Sequence, residues 1–283
     1  MSTRRVTVAC SPDADDLFMM RALLEGLIDT GPYRFDITST PTDALNQLAS
    51  GADGPDVVAL SIAWFPQVSD RYLLLRHGGS MGEGYGPIVV AGRPMAPADL
   101  AGRRVAVPGT TTTAARVLAL ALAEPTGGAG YAPVVVPISP YERIFDAIRA
   151  GEVDAGLVIH EGRLTWADEG MHEVLELGRW WADDTGGLPL PLGGNAIRRG
   201  LGPDLAPISA LLRASIRHGL ADRDAAIRWL LAKGGPLRTP ERVGRYLDMY
   251  ANHRTLDWGD DSVHAIEVLL RRLGHDGPVA FAA

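Results

Sequence analysis

The sequence predicts an α/β protein built from two lobes, and three observations support this prediction. Strand-like apolar runs alternate with helical patterns through much of the chain, as in sheets covered by helices. The alternation stops near residue 92 and restarts at residue 104. Segments rich in proline and glycine, 92–97 and 188–194, lie on either side of the second series. The 283 residues are enough for two lobes with their own cores.

These segments indicate that the second lobe is inserted in the first. Residues 1–92 and 195–283 would form the first lobe, and residues 93–194 would form the second. The helices at the end of the chain would then return to the first lobe. Two lobes joined by two crossings create a central cleft, which is where proteins that close about a hinge bind their ligands. We therefore expect a ligand site in that cleft.

The individual elements follow from the spacing of the apolar residues. Strands are predicted at 6–10, 34–39, 57–60, 73–77, 86–91, 104–107, 134–137 and 155–160. Helices are predicted at 15–28, 41–50, 62–68, 110–122, 141–150, 203–219, 222–233, 239–252 and 259–274. This order favours parallel or mixed sheets in both lobes.

The composition excludes several classes of protein. Hydrophobic residues make up 46% and charged residues 22%, which excludes intrinsic disorder. The net charge of −7, without a stretch dense in lysine and arginine, argues against a nucleic-acid partner. A single cysteine, Cys10, forms no intramolecular disulfide. The apolar run after Arg4 and Arg5 is too short for an export signal, and no run approaches the ~20 residues of a membrane span. We therefore expect a cytoplasmic protein without a membrane partner.

The turn after the first strand carries Ser11, Asp13, Asp15 and Asp16. A polar turn between a strand end and a helix start is a frequent ligand position in α/β sheets. Its carboxylates suit a hydroxyl group or a cation better than an anion. The alternative is that these residues cap the helix and fill its first turn. Both interpretations stay open, with Ser11 and Asp15 as the expected ligand contacts.

A second polar turn, PGTTTTA at 108–114, follows the strand at 104–107. Gly109 lets the backbone approach a ligand, and hydroxyl and N–H groups at a helix start can hold a carboxylate or phosphate. The spacing and lysine of a P-loop are missing, and there is no dinucleotide fingerprint. Helix capping would explain one threonine, whereas four in a row favour ligand binding. The expected contacts are Gly109, Thr111, Thr112 and Thr113.

His160 ends the predicted strand at 155–160. An imidazole there would point into the cleft and could act as a base or nucleophile near neutral pH, oriented by Glu161 or a backbone carbonyl. The alternative is a structural histidine hydrogen-bonded at a strand end. The other histidines are scattered and match no metal motif, so we predict no metal site. Ser61, after the strand at 57–60, is either a ligand hydroxyl or a helix cap.

Taken together, six segments resemble the 1,4-dihydroxy-6-naphthoate synthases of the futalosine route to menaquinone. They are SPDADDLF (11–18), DRYLLLRHGG (70–79), GYGPIVVA (84–91), VAVPGTTTTA (105–114), AGEVDAGLVIHEGR (150–163) and TGGLPLPLGG (185–194). They occur in the order of the family and run through most of residues 6–200. The resemblance implies a two-lobed fold like that of type II periplasmic binding proteins, used as a cytoplasmic enzyme.

The resemblance also implies a reaction. A lyase without a cofactor would convert cyclic dehypoxanthinylfutalosine to 1,4-dihydroxy-6-naphthoate and release a sugar-derived fragment. His160 corresponds to the proposed base of the family, Thr112 and Thr113 to its substrate-binding threonines, and Ser61 to its serine after the third strand. Thr111 is adjacent to them. The implied partner is an aromatic or nucleoside-derived small molecule, with a homodimer as the expected assembly.

The first polar turn departs from the family pattern S-P-C-P-N-D-T-F. Asp13, Ala14, Asp15 and Leu17 replace its Cys, Pro, Asn and Thr. At Asp15 an amide becomes a carboxylate, which would repel a carboxylate of the substrate. A divergent relative with another ligand is therefore an alternative. So are a chorismate dehydratase-like enzyme and a solute-binding or sensor protein of the same fold.

Overall fold

The computed structural model describes residues 3–137 and 142–282. The chain divides into two compact units, each with a five-stranded sheet. The first unit takes the chain up to Met81 and resumes at Pro191, and the second unit is Gly82–Leu190. Within the described ranges, every helix is too short or too polar to cross a lipid bilayer.

Strands and helices alternate through both units before a helical end segment. The strands are β1 (Arg4–Cys10), β2 (Tyr33–Ser39), β3 (Val57–Ser61), β4 (Tyr72–Gly82), β5 (Ile88–Ala91), β6 (Arg104–Val107), β7 (Ala132–Val135), β8 (Ala155–Val158), β9 (His172–Glu176) and β10 (Leu190–Arg198). The helices are α1 (Ala14–Leu24), α2 (Thr42–Ser50), α3 (Thr113–Ala123), α4 (Glu142–Arg149), α5 (Leu177–Thr185), α6 (Leu205–Ala221), α7 (Arg223–Lys233), α8 (Pro240–Tyr250), α9 (His253–Leu256) and α10 (Gly259–Arg272). Short 3₁₀ helices span Ile62–Gln67, Pro97–Leu100, His160–Leu164 and Arg199–Asp204.

The sheet of the first unit has the strand order β2-β1-β3-β10-β4. β1 runs parallel to β2 and β3, and β10 runs antiparallel to β3. Val6, Val8 and Cys10 of β1 are buried, as expected for a strand between two parallel partners with both faces covered. Since β1 and β3 are parallel neighbours, their carboxyl ends meet at one edge of the sheet. That edge positions Ser11 and Ser61.

The helices of the first unit pack on this sheet and on each other. α1 contacts α6, α7 and α8, and α10 contacts the 3₁₀ helix Ile62–Gln67. The approach of α6 to α1 is close at Gly219, where an added Cβ would lie 3.0 Å from Cζ of Phe18. The Ser215 hydroxyl donates to the carbonyl of Met19 at 2.6 Å. These contacts fix the helix that follows the first polar turn.

The sheet of the second unit has the strand order β7-β6-β8-β5-β9. β6 runs parallel to β7 and β8, whereas β5 runs antiparallel to β8 and β9. Val105 is in register with Ala155, so the carboxyl ends of β6 and β8 lie at the same edge. α4 packs on β8 at Gly156, where an added Cβ would lie 2.4 Å from Cγ2 of Ile144.

The unit boundaries lie at 81/82 and 190/191, whereas the sequence predicts them at 92/93 and 194/195. The first boundary moves because β5 pairs with β8 and β9, which places it in the second sheet. The second boundary moves because residues 193–197 pair with β3 in the first sheet. The spacing of apolar residues predicts a strand at each place without indicating its sheet.

Several elements differ from the sequence prediction. β9 and α5 are not among the predicted elements. In β9 apolar and polar residues alternate poorly, and its first two residues are exposed. The predicted helix at 62–68 is a 3₁₀ helix that contains Pro66. α1 ends at Leu24 rather than at residue 28, and the crossing at 188–194 runs into β10. The first residue of the helix predicted at 141–150 lies outside the described residues.

Residues 280–282 lie along β4, which is the last strand in the order of its sheet. The Leu74 N–H donates to the carbonyl of Ala280 at 3.0 Å, and the Ala282 N–H donates to the carbonyl of Leu74 at 2.8 Å. The ring of Phe281 lies edge-on to Trp258, with 6.2 Å between the centroids. The segment is thus fixed by backbone bonds and by an aromatic contact.

Candidate functional site

Asp15 lies in the first turn of α1, shortly after the end of β1, at the centre of a buried network. It is 4% exposed, and each carboxylate oxygen accepts a hydroxyl group. Oδ2 accepts from Ser80 at 2.9 Å and Oδ1 accepts from Tyr246 at 3.0 Å. Ser80 lies on β4 and Tyr246 on α8, so this carboxylate connects the start of α1 to two other elements of the first unit.

Asp13 and Ser11 complete the network. The Ser11 N–H donates to Oδ2 of Asp16 at 2.6 Å, and the Ser11 hydroxyl donates to the Asp13 carboxyl group. Burial, and then the negative charge of Asp15, raise the pKa of Asp13 to about 8, against the opposite effect of the Ser11 hydroxyl. The Asp13 carboxyl group therefore keeps its proton at neutral pH. Burial also raises the pKa of the Cys10 thiol to about 12, so this thiol stays protonated.

Ser61 is held by Asn46 of α2 at the end of β3. Its N–H donates to Oδ1 of Asn46 at 2.9 Å, and its hydroxyl accepts from Nδ2 at 3.1 Å. Asn46 is fully buried and Ser61 is 2% exposed. Ser61 occupies the N-cap position of the 3₁₀ helix Ile62–Gln67 but makes no capping hydrogen bond with its side chain. The sequence predicts that Ser61 is either a ligand hydroxyl or a helix cap. Its side chain makes no capping hydrogen bond in the structure.

Residues 109–113, called here the threonine turn, lie between the end of β6 and the first residue of α3, which is Thr113. Thr112 caps α3, because its hydroxyl accepts from the Ala115 N–H at 3.2 Å and donates to the Gly109 carbonyl at 2.8 Å. Thr111 and Thr113 are buried beside it. α3 is 11 residues long, so the positive end of its dipole lies at this turn. Such a helix start can hold an anionic group of a ligand.

His160 adopts a left-handed backbone conformation with φ +50°, which no other described non-glycine residue shares. It begins the 3₁₀ helix His160–Leu164 and is half-buried. A non-glycine residue in this conformation costs about 1–3 kcal/mol and persists only where the surrounding structure holds it. Strain of this kind is concentrated at functional sites, so it separates His160 from the other histidines.

The structure gathers the predicted site residues at two sheet edges, one in each unit. Ser11, Asp15 and Ser61 lie at the carboxyl edge of the first sheet. The threonine turn and His160 lie at the carboxyl edge of the second, after the adjacent strands β6 and β8. Across residues 3–137 and 142–282, no group of three or more His, Cys, Asp or Glu residues is arranged to hold a metal ion.

The side chains that hold these residues in place have no signal in the local sequence. Asn46, Ser80 and Tyr246 lie 15, 65 and 231 positions from the residues they bind. No local motif connects positions so far apart. The fold establishes where the predicted site residues lie. Their contacts with a ligand remain predictions.

Comparison with protein families and named relatives gives a consistent result. A family model described as menaquinone biosynthesis matches residues 6–275. Two relatives are named 1,4-dihydroxy-6-naphtoate synthase, and each is 37% identical to this chain. The match to the Streptomyces coelicolor protein covers 99% of this chain and 96% of the relative. The match to the Thermus thermophilus protein covers 90% and 89%.

Solved structures support the same fold. A crystal structure of a protein from Archaeoglobus fulgidus is 36% identical, covers 95% of this chain and 97% of its own, and has a TM-score of 0.84. The periplasmic aliphatic sulphonate binding protein of Escherichia coli is 15% identical, covers 98% and 96%, and has a TM-score of 0.64. The second likeness concerns the fold alone. The likeness to the sulphonate binding protein confirms the predicted α/β fold of the periplasmic-binding-protein type.

Proposed function

The chain belongs to the menaquinone-biosynthesis family of enzymes, and from this we propose that it converts cyclic dehypoxanthinylfutalosine to 1,4-dihydroxy-6-naphthoate. In this proposal it is a lyase that needs no cofactor and releases a sugar-derived fragment. The observation that carries the proposal is the enzyme name shared by two relatives, each 37% identical and matched over at least 89% of its length.

His160 is the proposed base. Removal of a proton from the substrate by its imidazole would start the bond cleavage, and formation of the aromatic product would help to drive the reaction. The left-handed conformation of His160 supports this role, because such strain is costly and is retained mainly where function requires a fixed group. Its position beside the threonine turn, at the ends of β6 and β8, supports it as well.

The threonine turn is proposed to hold the substrate carboxylate. The start of α3 supplies N–H groups and the positive end of the helix dipole, which favour an anion by about 0.3–1 kcal/mol at an exposed site. The Thr112 hydroxyl is engaged by Gly109 and Ala115, so its contribution is to shape the turn. Thr111 and Thr113 are proposed to contact the substrate directly, with the Gly109 backbone close to it.

Ser11, Asp15 and Ser61 are proposed as further substrate contacts. The sequence raises the objection that Asp15 would repel a carboxylate. In the structure Asp15 accepts two hydroxyl groups. Burial, and then the charge of Asp15, raise the pKa of its neighbour Asp13 to about 8, which favours the neutral form of that carboxyl group at pH 7. The turn therefore carries less free negative charge than its sequence suggests. We propose that Asp15 faces hydroxyl groups of the substrate rather than its carboxylate.

The proposal is tested by turnover of cyclic dehypoxanthinylfutalosine by the wild type and by His160→Asn and His160→Gly. Asparagine and glycine tolerate the left-handed conformation, so both variants remove the imidazole without disturbing the backbone. Loss of a general base should lower kcat by about 10²–10⁴-fold. Added imidazole should restore part of the activity of His160→Gly. Product is measured by chromatography with mass detection.

His172 offers a matched control, because it is an exposed histidine of β9 in the same unit. His172→Asn should keep the turnover of the wild type. Full activity of His160→Asn would refute the role of His160 as a base. No product from a folded wild-type protein would refute the reaction. Binding of the substrate without turnover would then favour the binding or sensor alternative, and turnover of chorismate would favour the dehydratase.

A cytoplasmic location and a homodimer remain predictions from the sequence. The proposed reaction needs a small aromatic or nucleoside-derived substrate and does not require nucleic acid, a membrane or a metal. Sedimentation of the purified protein at several concentrations measures the assembly. A single species with the mass of one chain at all of them would contradict the homodimer.

A further inference from the structure

The carboxylate of Glu176 joins three segments of the second unit. It lies at the end of β9 and is 4% exposed. Oε1 accepts the Gly86 N–H at 2.6 Å and lies 3.0 Å from Nη2 of Arg163. Oε2 accepts the Arg179 N–H at 2.5 Å, which caps α5. A single buried carboxylate therefore binds the segment before β5, the start of α5 and the 3₁₀ helix after β8.

Arg163 connects this network to the 3₁₀ helix that begins at His160. Both residues belong to the 3₁₀ helix His160–Leu164, and they are three positions apart, which is one turn of such a helix. The side chains of Arg163 and Glu176 are 15% and 2% exposed. Exposed ion pairs contribute little, but removing one partner of a buried pair leaves an uncompensated charge. The pair with Glu176 thus gives this helix a defined anchor.

The surroundings of Glu176 leave it little freedom to move. An added Cβ on Gly178 would lie 2.0 Å from the carbonyl carbon of Tyr85, and one on Gly86 would lie 3.0 Å from the Gly178 nitrogen. The segment that carries Gly86 is thus seated directly on the start of α5. Next to Glu176, the Leu177 N–H donates to the carbonyl of Pro87 at 2.9 Å. The carboxylate is therefore a fixed reference point within the unit.

We propose that Glu176 is a positioning residue for His160 and acts through Arg163. His160 is strained, so an outside contact must hold its turn. The ion pair of Arg163 with Glu176 provides that contact one turn away. The catalytic consequence rests on the proposed function, in which the imidazole takes a proton from the substrate. Without the pair, the turn relaxes and the imidazole leaves the position required for proton transfer.

The test compares Arg163→Met and Glu176→Gln with the wild type, and Arg163→Lys as the conservative variant. The matched control is Arg179→Met, which removes an exposed pair with Glu173 in the same unit, 64% and 36% exposed. The first measurement is the NMR signal of the His160 imidazole through a pH titration, assigned with His160→Asn. It requires no substrate. The second measurement is kcat and KM for cyclic dehypoxanthinylfutalosine.

Arg163→Met and Glu176→Gln should shift and broaden the His160 signal. They should lower kcat by about 10–100-fold and leave KM within about threefold, because a displaced base affects the chemical step more than binding. Arg163→Lys should recover part of the wild-type His160 signal and part of the wild-type kcat, since lysine keeps the positive charge but lacks the planar guanidinium group. Arg179→Met should change neither the signal nor kcat.

An unchanged His160 signal and titration in folded Arg163→Met would overturn the positioning role, whatever happens to activity. If Arg163→Met does not fold, Glu176→Gln gives the same comparison, because it removes the charge of the other partner of the pair. If the wild type has no turnover, the proposed function fails. The NMR signal still decides whether Glu176 and Arg163 position His160, so the two failures are distinguishable.

Discussion

Asp13 should make the stability of the protein depend on pH in a way that one substitution abolishes. The ordinary pKa of this carboxyl group is 3.8, and burial together with the charge of Asp15 raises it to about 8 in the folded protein. Between these values the folded state holds a proton that the unfolded state has released. The free energy of unfolding therefore falls as pH rises through this window, and it levels off above pH 8.

The size of the effect follows from the shift. One pKa unit corresponds to about 1.4 kcal/mol, so a shift of roughly four units costs about 5–6 kcal/mol once the window has been crossed. Over the two pH units from 5 to 7, the wild type should lose about 3 kcal/mol through this group alone. Asp13→Asn has no proton to lose, and its amide oxygen can still accept the Ser11 hydroxyl.

The assay is urea unfolding at pH 5, 6, 7 and 8.5, followed by circular dichroism. The free energy of unfolding of Asp13→Asn relative to the wild type should rise by about 1.4 kcal/mol per pH unit from pH 5 to 7, and this difference should level off above pH 8. Asp53→Asn, at an exposed position, controls for loss of one surface carboxylate. Parallel pH profiles for Asp13→Asn and the wild type would refute the argument that Asp13 is protonated in the folded state.

Two further substitutions test the local geometry of the second unit. Thr112→Ala should destabilise the protein by about 1 kcal/mol in urea unfolding, because α3 loses its side-chain cap, and Thr112→Ser should restore most of it. An equal loss in both variants would contradict capping. Gly178→Ala should cost about 2 kcal/mol or more, because its Cβ would lie 2.0 Å from the backbone of Tyr85. An added Cβ on Gly200 would meet no atom within 4 Å, so Gly200→Ala should change the free energy of unfolding, measured in the same urea titration, much less than Gly178→Ala does.

The parts of the fold that depend on local spacing could be predicted from the sequence. The apolar runs at 6–10 and 104–107 locate β1 and β6, and the polar turns after them mark the sheet edges. The position of His160 is predictable for the same reason, since it follows a buried apolar run. Parallel strands bring their carboxyl ends together, so the neighbourhood of His160 and the threonine turn follows from the alternation of strands and helices.

The parts that depend on distant pairing could not be predicted. β5 lies in the second sheet because it pairs with β8 and β9, and nothing in its own residues specifies these partners. Glu176 resembles any acidic residue at a strand end, and its contact with Gly86 spans 90 positions. Protonation of Asp13 likewise depends on burial, which only the assembled unit provides.

The backbone bonds of residues 280–282 cover part of β4, the last strand in the order of the first sheet. An outer strand presents unpaired N–H and C=O groups, and pairing of such edges between molecules is a common route to aggregation. At Leu74 these groups are already occupied by the chain itself, and Phe281 against Trp258 keeps the covering segment in place. A fusion partner that draws residues 280–282 away would uncover β4 and favour self-association through that strand.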